Sequence, residues 1–412
     1  MRQPPELTAL ASSRPDLVAA MAPWWSAPVA EYSAALWRPP GAGAIEPALI
    51  AALSEELERV GHGAVLPVLL RRRVLATAHH VTPTNGPSFL GLDAILTASG
   101  EPGIVAAYSG VAFSNAAWSG ALSFAGDPAQ VMSPGTAMWR RFQAASRDRT
   151  RDAGETEHRV SLIPSRWRDG LLYRHPMPDD LSERLDALTP AVTRHLPAEA
   201  PDWSTWALQG CEAIQRAALG VSLAYFDLNR AIAGYLVRIL DHPEHPLSRL
   251  LLDPTLHAAM LARSERAWFY AGRVRKGAEK VDLLRPVDGV LCGRGVVRVS
   301  MEATALQDAL RSGLLCPGLM LCFAALGILN PLRCLGSFNQ IAYQAAFAED
   351  FAALSLGHAE ADPGPVLLTG RLVGADGPTY PLDLVAAGER LEGVADWPMS
   401  RLWRPIVDRL SG

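Results

Sequence analysis

Two adjacent histidines, His79 and His80, open a run of polar and turn-forming residues that continues through Thr82, Thr84, Asn85, Gly86 and Pro87. Imidazoles donate hydrogen bonds to phosphate or to a developing oxyanion, and threonine hydroxyls add donors. Asn85 and Gly86 are residue types that tolerate a left-handed turn, which would bring the backbone close to a ligand. The same residues also make an ordinary loop with Thr84 or Asn85 as a helix cap. Farther on, Tyr108, Ser109, Ser114 and Asn115 supply hydroxyl and amide groups for a substrate. Arg273, Arg275, Lys276 and Lys280 put four cations into eight residues around Gly277. Lys276 and Lys280 are the only lysines among 38 basic residues, and compact ammonium groups suit phosphate oxygens. The alternative is a solvated charged turn. Gly336 and Ser337 precede Asn339, Gln340 and Tyr343, so a second helix start offers amides, a possible Asn339 cap, and two polar side chains on one face.

These groups need elements to hold them. Residues 72–78 form a short apolar run, and Gly86 and Pro87 open a helix over 88–98, where proline suits the first turn. Residues 104–108 form a second buried strand. Strand, loop, helix and strand make a βαβ unit with parallel strands. A helix entered from such a loop presents free N–H groups and a positive dipole end, a ready anion site. In open α/β sheets, ligands bind at the carboxyl ends of the strands. Residues 47–60 show helical periodicity, 211–240 read as the most apolar part of a helical stretch, and 247–270 as further helix. Residues 273–285 read as a charged loop, 296–300 as a strand, 303–311 and 319–329 as helices, 333–338 as strand or turn, and 339–354 as helix. Residues 365–387 resemble a small β-meander. The expected architecture is an α/β, Rossmann-like parallel sheet with large helical insertions and a small C-terminal β-meander. Its expected parts are a helical segment (1–62), a core (63–360) with an insertion at about 178–270, and a C-terminal unit (361–412).

Composition narrows the classes. Forty-nine per cent of residues are hydrophobic and 19% charged, a balance that folds rather than staying disordered. A net charge of −4 gives no electrostatic footprint for nucleic acid. No dinucleotide GxGxxG or Walker lysine loop occurs. The five cysteines, Cys211, Cys292, Cys316, Cys322 and Cys334, contain no CxxC pair and are expected to be free thiols in a reducing compartment, the cytoplasm. No secretory leader is read at the start, and the uncharged run 314–330, broken by Pro317 and Gly318, is expected to be core and not a membrane span. His242 and His245 have HxxH spacing, but no third ligand lies nearby, so no metal is expected.

The segment from Thr77, Ala78, His79 and His80 through Asn85, Gly86, Pro87, Ser88 and Phe89 is similar to the Thr-Gly-Gln-Gln … Gly-Gly-Pro-Leu-Tyr segment of bacillithiol synthase, the cysteine-adding family of bacillithiol assembly. Leu335, Gly336, Ser337, Phe338, Asn339, Gln340, Ile341, Ala342 and Tyr343 resemble its Gly-Gly-Pro-Gly-Glu-Ile-Ala-Tyr segment. The likeness covers a small part of the chain, in two Gly-rich stretches. It implies a nucleotidylyltransferase-type core and condensation of an amino acid with a small metabolite. The chain departs from the family where an Asp-His-Asp patch is replaced by residues 109–115, where Gln340 replaces a glutamate, and where a coiled-coil arm is missing. The family's cysteine and sugar substrates therefore do not carry over.

The expected function is a bacterial ligase or transferase of specialised metabolism, joining an amino acid or amine to a small metabolite with ATP, another nucleotide or phosphate donor, or a preactivated donor. In it, His79, His80 and Asn115 would act at the reacting atoms. Thr82, Thr84, Asn85, Gly86, Lys276, Lys280, Gly336 and Ser337 would hold the donor. Tyr108, Ser109, Ser114, Asn339, Gln340 and Tyr343 would bind the acceptor. The alternatives are a nucleotidylyltransferase or adenylate-forming enzyme, and a non-catalytic scaffold. Partners are expected to be small molecules, with an aminoacylated carrier left open, no nucleic acid or membrane otherwise, and a homodimer compatible.

Overall fold

A computed structural model describes residues 4–39, 43–82, 84–109, 187–188, 190–191, 194–195, 203–264, 266–275, 278–357, 364–375 and 377–411. Its centre is a four-stranded parallel sheet of β1 (Val74–Ala76), β2 (Gly103–Ala107), β3 (Leu223–Asp227) and, later in the chain, Arg333–Leu335. That last strand is β9. The order is β3-β2-β1-β9, with Ala76 beside Val105, Ala107 beside Asp227, and Val74 beside Arg333. Every residue of these strands is buried. That is why they read as continuous apolar runs instead of alternating ones. The helices Pro47–Arg59, Pro87–Thr97, Trp203–Leu219 and Leu228–Ile239 pack around the sheet. The strand order reverses between β1 and β9, and the crevice at such a reversal is where parallel sheets hold ligands.

The βαβ unit stands as read, with its first strand trimmed. Leu66–Arg72 is a helix ended by Arg73 in the left-handed region (φ 57°), so β1 starts only at Val74. Pro87 occupies the first turn of its helix. Three expectations are corrected. The stretch 211–240 is not continuous helix: Gly220 (φ 69°) ends one helix and β3 follows. Asp227 then caps the next helix by accepting from the Arg230 amide at 3.1 Å. Residues 269–287 are neither helix nor charged loop. They form a hairpin of β4 (Phe269–Arg275) and β5 (Ala278–Val287), which with β6 (Val290–Cys292), β7 (Arg298–Ser300) and β8 (Cys316–Pro317) makes an antiparallel sheet ordered β7-β6-β5-β4-β8. Phe269, Ala271, Leu284, Leu291 and Val299 are buried along one face of it. Nor is there a C-terminal meander: Val373–Gly374 and Gly377–Pro378 pair as two-residue strands, and Pro381 begins the helix Pro381–Ala387. The expected helix over 319–329 is a short α-helix, Leu319–Phe323, followed by a π-turn, Ala324–Ile328.

The terminal segments share one core. The Tyr32 ring meets the Trp403 ring edge-on at 5.2 Å, and its hydroxyl donates to the Leu367 carbonyl at 2.5 Å. Trp37 Nε1 donates to the Leu96 carbonyl at the end of the Pro87–Thr97 helix, at 2.7 Å. That helix is buried at ten of its eleven positions. Gly91 lets it approach the chain closely, since a Cβ there would lie 2.9 Å from the Gly370 carbonyl carbon. The two sheets meet where the Asn229 amide donates to the Pro317 carbonyl at 2.8 Å and the Tyr108 ring faces Tyr270 at 6.3 Å. No helix among the described residues is long and apolar enough to cross a membrane. All five cysteines are free thiols.

Candidate functional site at the carboxyl edge of the parallel sheet

The chains leaving β1 and β2 stay paired for one more step. The Tyr108 amide donates to the His79 carbonyl at 2.7 Å, and the Val81 amide to the Tyr108 carbonyl at 3.0 Å. Strand side chains alternate in direction, so this pairing turns His79 and His80 to different surroundings. His79 is fully buried. Its Nε2 lies 2.9 Å from Asp93 Oδ1, off the line of an aligned hydrogen bond. Asp93 Oδ2 accepts from the Tyr225 hydroxyl at 2.5 Å. The Phe89 and Tyr225 rings flank the imidazole at 5.4 and 5.6 Å. Close by, Asn85 donates to Cys211 Sγ at 2.9 Å. Burial first, then the charge of Asp93, pushes the Cys211 thiol far above its ordinary value, so it is no nucleophile at neutral pH.

His80 is different. It is partly exposed, packs between Phe89 and Tyr108 at 5.9 and 6.1 Å, and leaves Nδ1 without a partner. Burial, then the neighbouring His79, lowers its pKa to about 4, so the imidazole is neutral at pH 7. A neutral imidazole offers a hydrogen bond without a charge. The Tyr108 hydroxyl also makes no aligned bond, and burial, then Tyr270, drives its pKa well up, which keeps it a donor.

The other side of the crevice is built by β9 and the helix Gln340–Ala353. Gln340 Nε2 donates to the Thr77 carbonyl at 2.8 Å, and Gln340 Oε1 accepts from the Ser337 amide at 3.2 Å. Gly336 donates to the Val366 carbonyl at 2.8 Å. Both amides of the expected anion site at Gly336 and Ser337 are therefore already used, which corrects that reading. Asn339 is at the N-cap position but makes no cap bond. It faces Arg14 instead, with Nη1 at 3.5 Å from its Oδ1. Tyr343 is partly exposed and packs on Phe323 and Phe347 at 5.9 and 5.6 Å. Arg266 lies over the Tyr343 and Phe347 rings, at 5.4 and 4.8 Å from their centroids. Its charge also reaches the Tyr270 and Tyr343 hydroxyls. His80, Tyr108, Tyr270, Arg266, Tyr343 and Gln340 thus follow one another around the carboxyl end of β1.

Of the remaining expected site residues, Thr82, Thr84 and Asn85 are buried under the loop, with the Thr82 hydroxyl donating to the Thr84 carbonyl at 2.9 Å. Gly86 has φ −91°, so the expected left-handed turn is not formed there. Ser109 is buried and committed: its hydroxyl donates to Asp227 Oδ1 at 2.9 Å, and its amide to Asn229 Oδ1 at 2.7 Å. Ser114, Asn115 and Lys276 lie outside the described residues. Lys280 sits on β5 opposite Arg273 and not in the expected loop. His245 is occupied by Glu46 and Tyr235, at 3.2 and 3.0 Å from Nε2, and by the Leu247 amide at 3.1 Å from Nδ1. Among the described residues no cluster of three or more His, Cys, Asp or Glu side chains is arranged to hold a metal ion. Sequence reading missed Asp93, Tyr225, Tyr270 and Arg266. Asp93 was the detectable one, an acid inside an otherwise apolar helix. No protein-family model, curated protein or solved structure matches the chain.

Proposed function

We propose that this chain is a small-molecule condensing enzyme, a ligase or transferase joining an amino acid or amine to a small metabolite with ATP or a preactivated donor. One observation supports the reading above the others: at a strand-order reversal, His80 is an uncharged imidazole with an unpartnered Nδ1, packed beside Tyr108, whose hydroxyl lies against Tyr270. Two neutral donors on neighbouring side chains would suit the oxygen that gains charge when an activated acyl or phosphoryl centre is attacked. His80 is a hydrogen-bond donor in this scheme and not a phosphate-clamping cation, because its pKa is far below neutral. His79 acts behind it as a positioning residue, held by Asp93. The core is of the Rossmann-like, nucleotidylyltransferase type in this reading, for which the 3-2-1-4 order of the parallel strands in the chain speaks. Catalysis then consists of positioning and charge stabilisation.

The test is a thermal-shift screen of the full chain with ATP, ADP, other nucleotides and amino acids, followed by product analysis on the pairs that stabilise it. A ligand at about 100 times its Kd raises stability by about 2.7 kcal/mol. His80→Ala should then cut turnover by about 100-fold or more with the fold retained. Unchanged turnover in that variant removes His80 from the chemistry. Pyrophosphate release without a condensed product would turn the reading to an adenylate-forming enzyme, and the absence of any product would leave a binding protein.

A further inference from the structure

The rim described above contains one residue that neither the loop motif nor the late glycine motif includes. Arg266 is exposed, yet its guanidinium carbon lies over the rings of Tyr343 and Phe347. A cation–π contact holds a guanidinium while its N–H donors remain for a partner. Among the described residues no carboxylate or carbonyl accepts from those donors. The nearby Asp350 carboxylate is taken by Arg263, whose Nε lies 2.9 Å from it. The Arg266 charge is felt at the Tyr270 hydroxyl, and the Tyr270 ring packs against Tyr108, which in turn packs against His80.

We infer that Arg266 is the recognition site for the carboxylate of an acid substrate, an amino acid or another small carboxylic acid, whose reacting end reaches toward His80 and Tyr108. This deepens the condensing-enzyme reading and rests on it for the direction in which the substrate lies. A guanidinium matches a carboxylate in a planar two-point contact. The charge balance argues for that partner over a polyphosphate: of the six residues around the rim, Arg266 is the one cation, His80 is neutral, and the rest are uncharged. One positive charge balances one carboxylate, whereas a polyphosphate carries several charges and calls for several cations or a metal. The rings of Tyr270 and Tyr343 supply apolar surface for the carbon skeleton between the two ends.

The experiment uses the full chain in a thermal-shift and calorimetric panel of the twenty common amino acids and a set of small monocarboxylic acids, their methyl esters, and the amines that lack the carboxyl group. At least one acid should stabilise the wild type while its ester and amine do not. Arg266→Gln should weaken that acid by about tenfold or more, and Arg266→Lys should recover part of the loss. Equal response to acid and ester, undiminished binding by Arg266→Gln, or no response to any acid overturns the proposal. The two readings separate cleanly. Carboxylate-dependent binding without condensation keeps Arg266 and removes the enzyme, while condensation that treats acid and ester alike keeps the enzyme and removes Arg266.

Discussion

Gln340 reaches from the first turn of its helix to the main-chain carbonyl of Thr77, 2.8 Å away, and so ties the ends of β9 and β1 together across the crevice. The same side chain accepts from the Ser337 amide. One amide thereby satisfies groups from both walls of the candidate site. Gln340→Ala should cost about 1–3 kcal/mol, since it leaves a buried carbonyl and an amide unpaired. Gln340→Glu should cost at least as much, because a carboxylate has no donor for the Thr77 carbonyl. Urea denaturation of the two variants measures both, and a glutamate variant as stable as the wild type would show that the bond contributes nothing.

Asp93 is the buried acid on which His79 and Tyr225 converge. Removing it as Asp93→Ala strands an imidazole and a phenol in the core, at a cost of about 3 kcal/mol or more. Asp93→Asn keeps an oxygen for Tyr225 and should lose less. The order of the two unfolding midpoints is the readout; the reverse order, or two midpoints at the wild-type value, contradicts the arrangement.

The lowered pKa of His80 makes a signed statement about pH. Its folded value of about 4 lies below the ordinary value of 6.5. Between them the unfolded chain binds the proton and the folded chain does not, so stability falls as pH drops from about 6.5 toward 4. The contribution is at most about 3 kcal/mol at the acid end of that window. Below pH 4 both states are protonated and the slope vanishes. Subtracting the denaturation profile of His80→Gln from that of the wild type isolates this imidazole from every other group, and a flat difference curve would rule out the lowered pKa.

Gly91 faces the backbone of Gly370 so closely that a methyl group would collide with main chain, not with a flexible side chain. Gly91→Ala should therefore destabilise by about 1–3 kcal/mol despite alanine's better helix propensity. Circular-dichroism melting of that variant provides the comparison; a raised melting temperature would mean that the two segments separate easily.

The parallel sheet was legible where a turn signal bounded an apolar run. Gly86 with Pro87 marked the helix after β1, and residues 333–338, read as strand or turn, contain β9. β3 was hidden because a fully buried strand has no period-2 alternation, and Leu223 to Phe226 merges with the apolar helices on either side. Gly220 and Asp227 were the available punctuation. The hairpin of β4 and β5 was hidden differently: Arg273, Arg275, Lys276, Glu279 and Lys280 crowd around Gly277, so composition suggested a charged loop, while the buried Phe269, Ala271 and Leu284 belong to strands. Within the site, the position of His80 could be read from chain order, because it lies four residues past the end of β1. The partners of His79 could not. Asp93 and Tyr225 reach it from a helix and from a strand far away in sequence, and only packing brings them together. Arg266 was equally invisible, because its importance comes from the two rings beneath it, supplied by a helix that starts long after it.

The pairing of β1 with β9 joins residues 258 positions apart, as in the bond from the Thr77 hydroxyl to the Leu335 carbonyl. On a ribosome adding roughly 5–20 residues per second, the β1 edge therefore waits for its neighbour for about 13–50 seconds after it is made. Through that interval the loop bearing His79 and His80 has no second wall, and a bare strand edge is open to mispairing. Assembly of the crevice is thus a late event in the life of the nascent chain. Premature truncation anywhere before residue 333 leaves β1 without the strand that completes this edge.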